Sequence, residues 1–190
     1  MGRTSLIQVR EARMPQIQKR YATQMAGEFY AAGELFKRGF FANVSFGNAK
    51  SFDIIVFSNR EDKFARIEVK SSSDPYFTRR HQPVYEADHK FHFNIEALHK
   101  EIKSVKTNPN KFYIFVALDG DIGKPDFFVF PADAIYKVMQ RKITAVRAEK
   151  VHGRWDMKLS DVFGSKEAEL KYRQKQDTGW SVLRDYLEYG

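Results

Sequence analysis

The chain has 190 residues, 43% hydrophobic and 29% charged, with 32 Lys and Arg against 24 Asp and Glu for a net charge of +8. That length suits one domain with a real core. The 17 Phe, 9 Tyr and 2 Trp exclude a disordered chain, and the absence of Cys excludes a disulfide scaffold or thiol chemistry.

Residues 1–14 read as a basic arm, followed by one domain over 15–190 with its core in about 15–140 and a C-terminal extension from about 141. Pro15 fits the first turn of a helix. Ile17, Tyr21, Met25, Phe29, Ala32 and Phe36 then recur at helical spacing as one apolar stripe, and Gly39 supplies a stop. FFANVSF, SFDIIVF and FARIEV predict three strands separated by polar turns. SSSDPYFTRRHQPVYEADHK reads as a polar loop, NIEALHKEIKSV as a helix broken at Asn108-Pro109-Asn110, and KFYIFVAL and DFFVFP as strands. PADAIYKVMQRK predicts a helix, Trp155 lies in a short strand or loop, and helices follow near 165–176 and 179–188. The predicted class is α/β with a mixed sheet, the helix between the third and fourth strands serving as a crossover that makes them parallel.

No stretch approaches the roughly 20 apolar residues of a bilayer span. MGRTSLIQVREARMP lacks the apolar region of a signal peptide, so a cytoplasmic chain is expected. Residues 1–50 carry 8 basic and 3 acidic side chains, and residues 137–158 carry 7 and 2. Two basic patches suit a polyanion lying across a surface, although charge alone equally describes two solvated faces.

If residues 58–63 form the turn of a hairpin, Phe57 pairs with Phe64 and Asp53 falls opposite Glu68. Strand alternation puts Lys70 on the same face. Two carboxylates and an ammonium then converge at one sheet edge, where adjacent carboxylates repel unless a cation such as Mg²⁺ sits between them. On spacing alone, Glu68 and Lys70 are equally an ion pair on an exposed face. On the first helix, Glu28 falls about 20° inside the apolar stripe at 100° per residue, while Glu34 points away. A carboxylate on a core-facing stripe is costly unless it is paired, which marks Glu28 as a third acidic candidate.

Glu28, Phe52-Asp53 and Glu68-Val69-Lys70 together resemble the PD-(D/E)XK phosphodiesterase superfamily, which includes restriction endonucleases and archaeal Holliday junction resolvases. GEFYAAGELFKRGF is similar to the resolvase-like branch, where a helical Glu precedes a Gly-Phe pair. The resemblance covers about residues 20–120 and implies a restriction endonuclease-like αβββαβ core with a mixed central sheet flanked by helices, plus C-terminal helices. It implies that Asp53, Glu68 and the Val69 carbonyl ligate Mg²⁺, with Mn²⁺ able to substitute. Lys70 would orient or activate water, and Glu28 would bind the metal or its water shell. Phe52 stands where the motif writes proline. The implied activity is Mg²⁺-dependent, endonucleolytic hydrolysis of DNA, with RNA left open. The alternatives are a nucleic-acid-binding protein that keeps the fold without catalysis, and an interaction protein in which Glu68–Lys70 is a surface pair.

Arg79 and Arg80, in the long loop after the third strand, are candidate phosphate contacts, as are Lys37, Arg38, Arg141 and Lys142. Lys37 and Arg38 equally suit the negative end of a helix dipole. His89 and His92 could share a helical face, but zinc needs more ligands. No glycine pattern supports a nucleotide fingerprint. Cutting both strands of a duplex wants two sites, so a homodimer is expected, with the C-terminal helices as its interface.

Overall fold

The computed structural model describes residues 15–45, 52–60, 62–72, 90–94, 109–118, 125–145, 154–164, 168 and 178–189. The first helix, α1 (Gln16–Lys37), begins where the Pro15 carbonyl accepts the Lys19 N–H at 3.0 Å. It ends in a double reversal: Phe40 N–H bonds Leu35 O at 3.0 Å and Gly39 N–H bonds Phe36 O at 2.9 Å. Gly39 makes this turn possible because its φ is +82°, which a side chain would strain.

Strands β1 (Phe41–Val44), β2 (Ile54–Phe57) and β3 (Phe64–Ser72) form an antiparallel meander, with Phe57 paired to Phe64 as the sequence predicts. Strand β4 (Lys90–Asn94) follows, then β5 (Lys111–Ala117) and β6 (Asp126–Pro131). The main sheet is mixed, in the order β1-β2-β3-β5-β6, with β5 parallel to β3 and antiparallel to β6. Helix α2 (Ala132–Ala145), strand β7 (Arg154–Lys158) and helices α3 (Leu159–Phe163) and α4 (Thr178–Glu188) complete the described elements. The result is an α/β fold with a mixed five-stranded sheet flanked by helices, C-terminal ones included.

Burial explains why β5 reads as a continuous apolar run: all seven residues are buried, because both faces of the sheet are covered there. On one face Ala31, Ala32 and Leu35 of α1 and Trp180, Leu183 and Leu187 of α4 pack on Ile67, Val69, Phe112, Ile114 and Val116. On the other, Phe91, Phe93 and Met157 of the small β4–β7 sheet join α2 over Tyr113, Phe115, Phe128 and Phe130.

Two expectations need correction. Strand β4 runs from Lys90, the last residue of the predicted loop, through 91–93, which belong to no predicted element, to Asn94, the first residue of the expected helix, and the Phe91/Phe93 alternation around exposed His92 is its cause. His92 therefore lies on a strand rather than on a helical face. The α1 stripe is also rotated: Ile17, Tyr21, Phe29 and Phe36 are 53–82% exposed, while Gly27, Glu28, Ala31, Ala32 and Leu35 are buried. The helix lies too close to the sheet for large side chains along its contact line. A Cβ on Gly27 would come within 2.4 Å of Ser71 Cβ. On α4, Trp180, Leu183 and Leu187 pack inside the chain, with the Trp180 ring tilted against Phe127 at 6.1 Å, while Val182 stays 41% exposed. The basic arm, the loop carrying Arg79 and Arg80, and the helices expected near 94–105 and 165–176 lie outside the described residues, apart from Asn94 and Ala168. No described helix is long and apolar enough to cross a membrane.

Candidate active site

The β2–β3 ladder runs from Phe57↔Phe64 to Ile54↔Ile67. The ladder stops at Ile54↔Ile67, and Asp53 lies just beyond it: Asp53 N–H donates to Ile67 O at 2.8 Å, one residue short of the in-register partner Glu68, as in a β-bulge, and Asp53 O accepts from Ser45 N–H at 2.7 Å. Asp53 Oδ2 accepts the Val69 N–H at 2.7 Å. Both the backbone and the carboxylate of Asp53 are thereby fixed on neighbouring strands. The N–H and C=O of a strand residue point to the same side, so the Val69 carbonyl also faces the β2 side, where Asp53 sits.

Strand β3 is nine residues long against four for β2, and it overhangs its partner at the end that carries Glu68 and Lys70. Glu68 Oε1 meets Lys70 Nζ at 2.6 Å. Lys70 Nζ also lies 5.7 Å from the centroid of the Phe93 ring on β4, a cation–π distance. On the far side of Glu68, Oε2 lies 3.6 Å from Lys111 Nζ at the start of β5. Neither Lys111 nor Phe93 was singled out from the sequence. Lys111 opens a run of otherwise apolar residues, and that oddity was its only sequence signal.

Helix α1 brings Glu28 to the same place from the opposite face of the sheet. Gly27 lets the helix touch β3 at Ser71, whose hydroxyl donates to Thr23 O at 2.9 Å. Glu28 is 4% exposed, and Gln24 Nε2 donates to its Oε1 at 3.1 Å. Burial pushes the Glu28 carboxyl up, opposed by the Gln24 hydrogen bond and reinforced by the Glu68 charge. Asp53 is pushed up to about 7, by burial first and by Glu68 next, against the opposing pull of the Val69 hydrogen bond. A carboxyl so placed holds its charge at neutral pH only with difficulty, which is the electrostatic setting of a cation site.

Among the described residues no three or more Asp, Glu or His side chains form a ready cage for a metal. The donor chemistry nonetheless fits a hard cation. Mg²⁺ commonly takes one or two carboxylates and fills its octahedron with water and phosphate oxygens, and Asp53, Glu68 and the Val69 carbonyl offer such oxygens together. Next to Asp53 on the β1–β2 ladder, the buried Ser45 Oγ has no hydrogen-bond partner among the described residues, an orphan that suits an ordered water.

The basic candidates divide differently. Arg38 Nε bonds Glu34 at 2.8 Å, and its guanidinium lies 4.7 Å from the Trp180 ring centroid, so it ties α1 to α4. It sits ten residues beyond Glu28, about 15 Å along the helix. Lys37 is 75% exposed beside Glu34, and Arg141 is exposed on α2. The backbone of Lys142 belongs to α2, and its side chain lies outside the described residues, as do Arg79 and Arg80.

No protein-family model matches the chain, and no curated protein matches it. Among solved structures, a bacterial homing endonuclease is similar, with a TM-score of 0.42 and 15% identity over 82% of this chain and 93% of that chain. A likeness this loose carries no argument, and the functional reading rests on the geometry of the chain itself.

Proposed function

We propose that the chain is a Mg²⁺-dependent nuclease that hydrolyses DNA phosphodiester bonds endonucleolytically with a PD-(D/E)XK-type centre. One observation carries the reading: Asp53 lies at the end of the β2–β3 hairpin within reach of the Glu68 charge, Lys70 is 2.6 Å from Glu68, and burial together with that charge pushes Asp53 up to about 7. A divalent ion at these oxygens would relieve that repulsion, neutralise the scissile phosphate and lower the pKa of a bound water.

Asp53 and Glu68, with the Val69 carbonyl, would hold the ion. The Val69 N–H keeps the Asp53 carboxylate from rotating away. Lys70, 27% exposed, can turn from Glu68 to orient the attacking water or to meet the phosphate. Glu28 would act through the water shell, since Gln24 already engages its Oε1. No covalent nucleophile is needed. Exposed cations such as Arg141 and Lys37 would hold the DNA backbone, and a homodimer would bring two centres to the two strands.

Incubation of the purified chain with supercoiled plasmid, linear duplex, single-stranded DNA and a four-way junction tests this. Mg²⁺-dependent cleavage is expected, lost in Asp53→Ala and Lys70→Ala while DNA binding persists. An inactive wild type on all four substrates and on RNA refutes nuclease function. The second reading, a binding protein that keeps the fold, is favoured by the closed Glu68–Lys70 pair. It predicts DNA binding without any divalent-cation binding at Asp53 and Glu68.

A further inference from the structure

Lysine is rarely buried unless an opposite charge compensates the desolvation. Lys111 is 7% exposed, and its Nζ contacts Glu68 Oε2 at 3.6 Å, an ionic contact too long for a hydrogen bond. The same ammonium lies 5.3 Å from the centroid of the Tyr113 ring. Parallel pairing explains the placement. Tyr113 is in register with Glu68 and Lys111 with Arg66, so Lys111 sits one step back on the face that Glu68 shares. Glu68 is consequently held at both oxygens, by Lys70 on its own strand and by Lys111 on the next. Lys70 is exposed enough to turn toward a substrate, whereas Lys111 is packed beneath the site.

We propose that Lys111 is a built-in cation that competes with metal at Glu68 and limits the centre to one divalent ion. The inference rests on the metal-dependent reading above. With all three carboxylates ionised, as metal binding requires, Glu28, Asp53 and Glu68 contribute three negative charges, against two positive ones from Lys70 and Lys111. One divalent ion brings this cluster to a single net positive charge, the sign that attracts a phosphate. A second ion would leave three uncompensated positive charges in a partly buried site, where like charges repel strongly. A purely structural ion pair predicts the opposite behaviour, because its removal would loosen Glu68 and weaken metal binding.

Calorimetric titration of Ca²⁺ into the full chain at pH 8 separates these cases, for the wild type, Lys111→Met and Lys111→Gln, with folding checked by circular dichroism. The wild type should bind one ion per chain, and both variants should bind it at least about tenfold more tightly, having lost the competing cation. Two ions on the wild type, or unchanged or weaker affinity in a folded variant, overturns the proposal. Two ions on the wild type overturn it even if neither variant folds. A wild type that binds no divalent ion brings down the metal-dependent reading itself, a different and recognisable failure.

Discussion

The Val69 N–H donates to Asp53 Oδ2 at 2.7 Å, tying the carboxylate ahead of one strand to the backbone of the next. That bond favours the ionised carboxylate, yet burial and the Glu68 charge outweigh it and push Asp53 up to about 7. The chain therefore holds Asp53 in place at a cost to its own stability, as functional groups often require.

The cost has a direction that pH reveals. A carboxyl whose folded pKa is raised binds its proton more tightly in the folded state, so metal-free stability falls as pH rises from the ordinary value of 3.8 to about 7. The loss is then complete above about 7. After allowance for partial solvent screening it should amount to about 2 kcal/mol. Asp53→Asn should raise the melting temperature of the metal-free chain at pH 8, flatten this pH dependence and abolish cleavage. Thermal melts from pH 4 to 9 check all but the last.

Metal binding should depend on pH in the opposite sense. An ion must displace the Asp53 proton below about 7, so apparent Mg²⁺ affinity should fall by up to about tenfold per pH unit there and level off above. Calorimetry in buffers of different ionisation enthalpy would detect the released proton.

Gly27→Ala should displace α1, because its Cβ would lie 2.4 Å from Ser71 Cβ. Overpacking of this kind costs about 1–3 kcal/mol, and the shift carries Glu28 away from Asp53, so cleavage should fall as well. Adding Ser71→Gly makes room and should recover part of both losses. A double-mutant cycle that is purely additive contradicts the contact.

Trp180→Ala should cost about 3–5 kcal/mol, the usual range for emptying a buried aromatic site, and should also release the Arg38 guanidinium stacked on it. Sedimentation should show the oligomeric state unchanged, since this ring packs within the chain.

Arg38 and Arg141 should respond differently in DNA binding. Arg141→Ala should reduce the slope of log affinity against log salt by about 0.9, one phosphate contact. Arg38→Ala should leave the slope intact and lower the melting temperature, because Arg38 is engaged by Glu34 and Trp180.

The hairpin was legible from sequence because the register of a short turn is discrete. Once Phe57 meets Phe64, the ladder to Ile54↔Ile67 follows by counting, whereas the bond from Asp53 N–H to Ile67 O marks a local offset that counting does not foresee. The parallel placement of β5 was legible from the crossover rule. The face of α1 was not. Periodicity picks out large apolar side chains, whereas the contact line on the sheet selects small ones, Gly27, Ala31 and Ala32, with Leu35. Glu28 was found even so, because it lies close to both directions on the helical wheel. Strand β4 was missed because two alternating phenylalanines are a brief signal beside a long polar stretch. Lys111 was missed because its importance comes from the strand beside it, and a lone charge at the start of an apolar run does not say which neighbour it meets across a parallel crossover.

The overhang of β3 beyond β2 is a notch in the sheet, and through it Glu28 from one layer approaches Asp53 and Glu68 at the border of the other. The centre is thus assembled across a seam and belongs wholly to neither side. Parting α1 from β3 by an ångström or two would disperse the carboxylates while every strand stayed paired. On gentle heating or in mild denaturant, cation binding should vanish before the β-sheet signal does, leaving a folded but chemically silent protein.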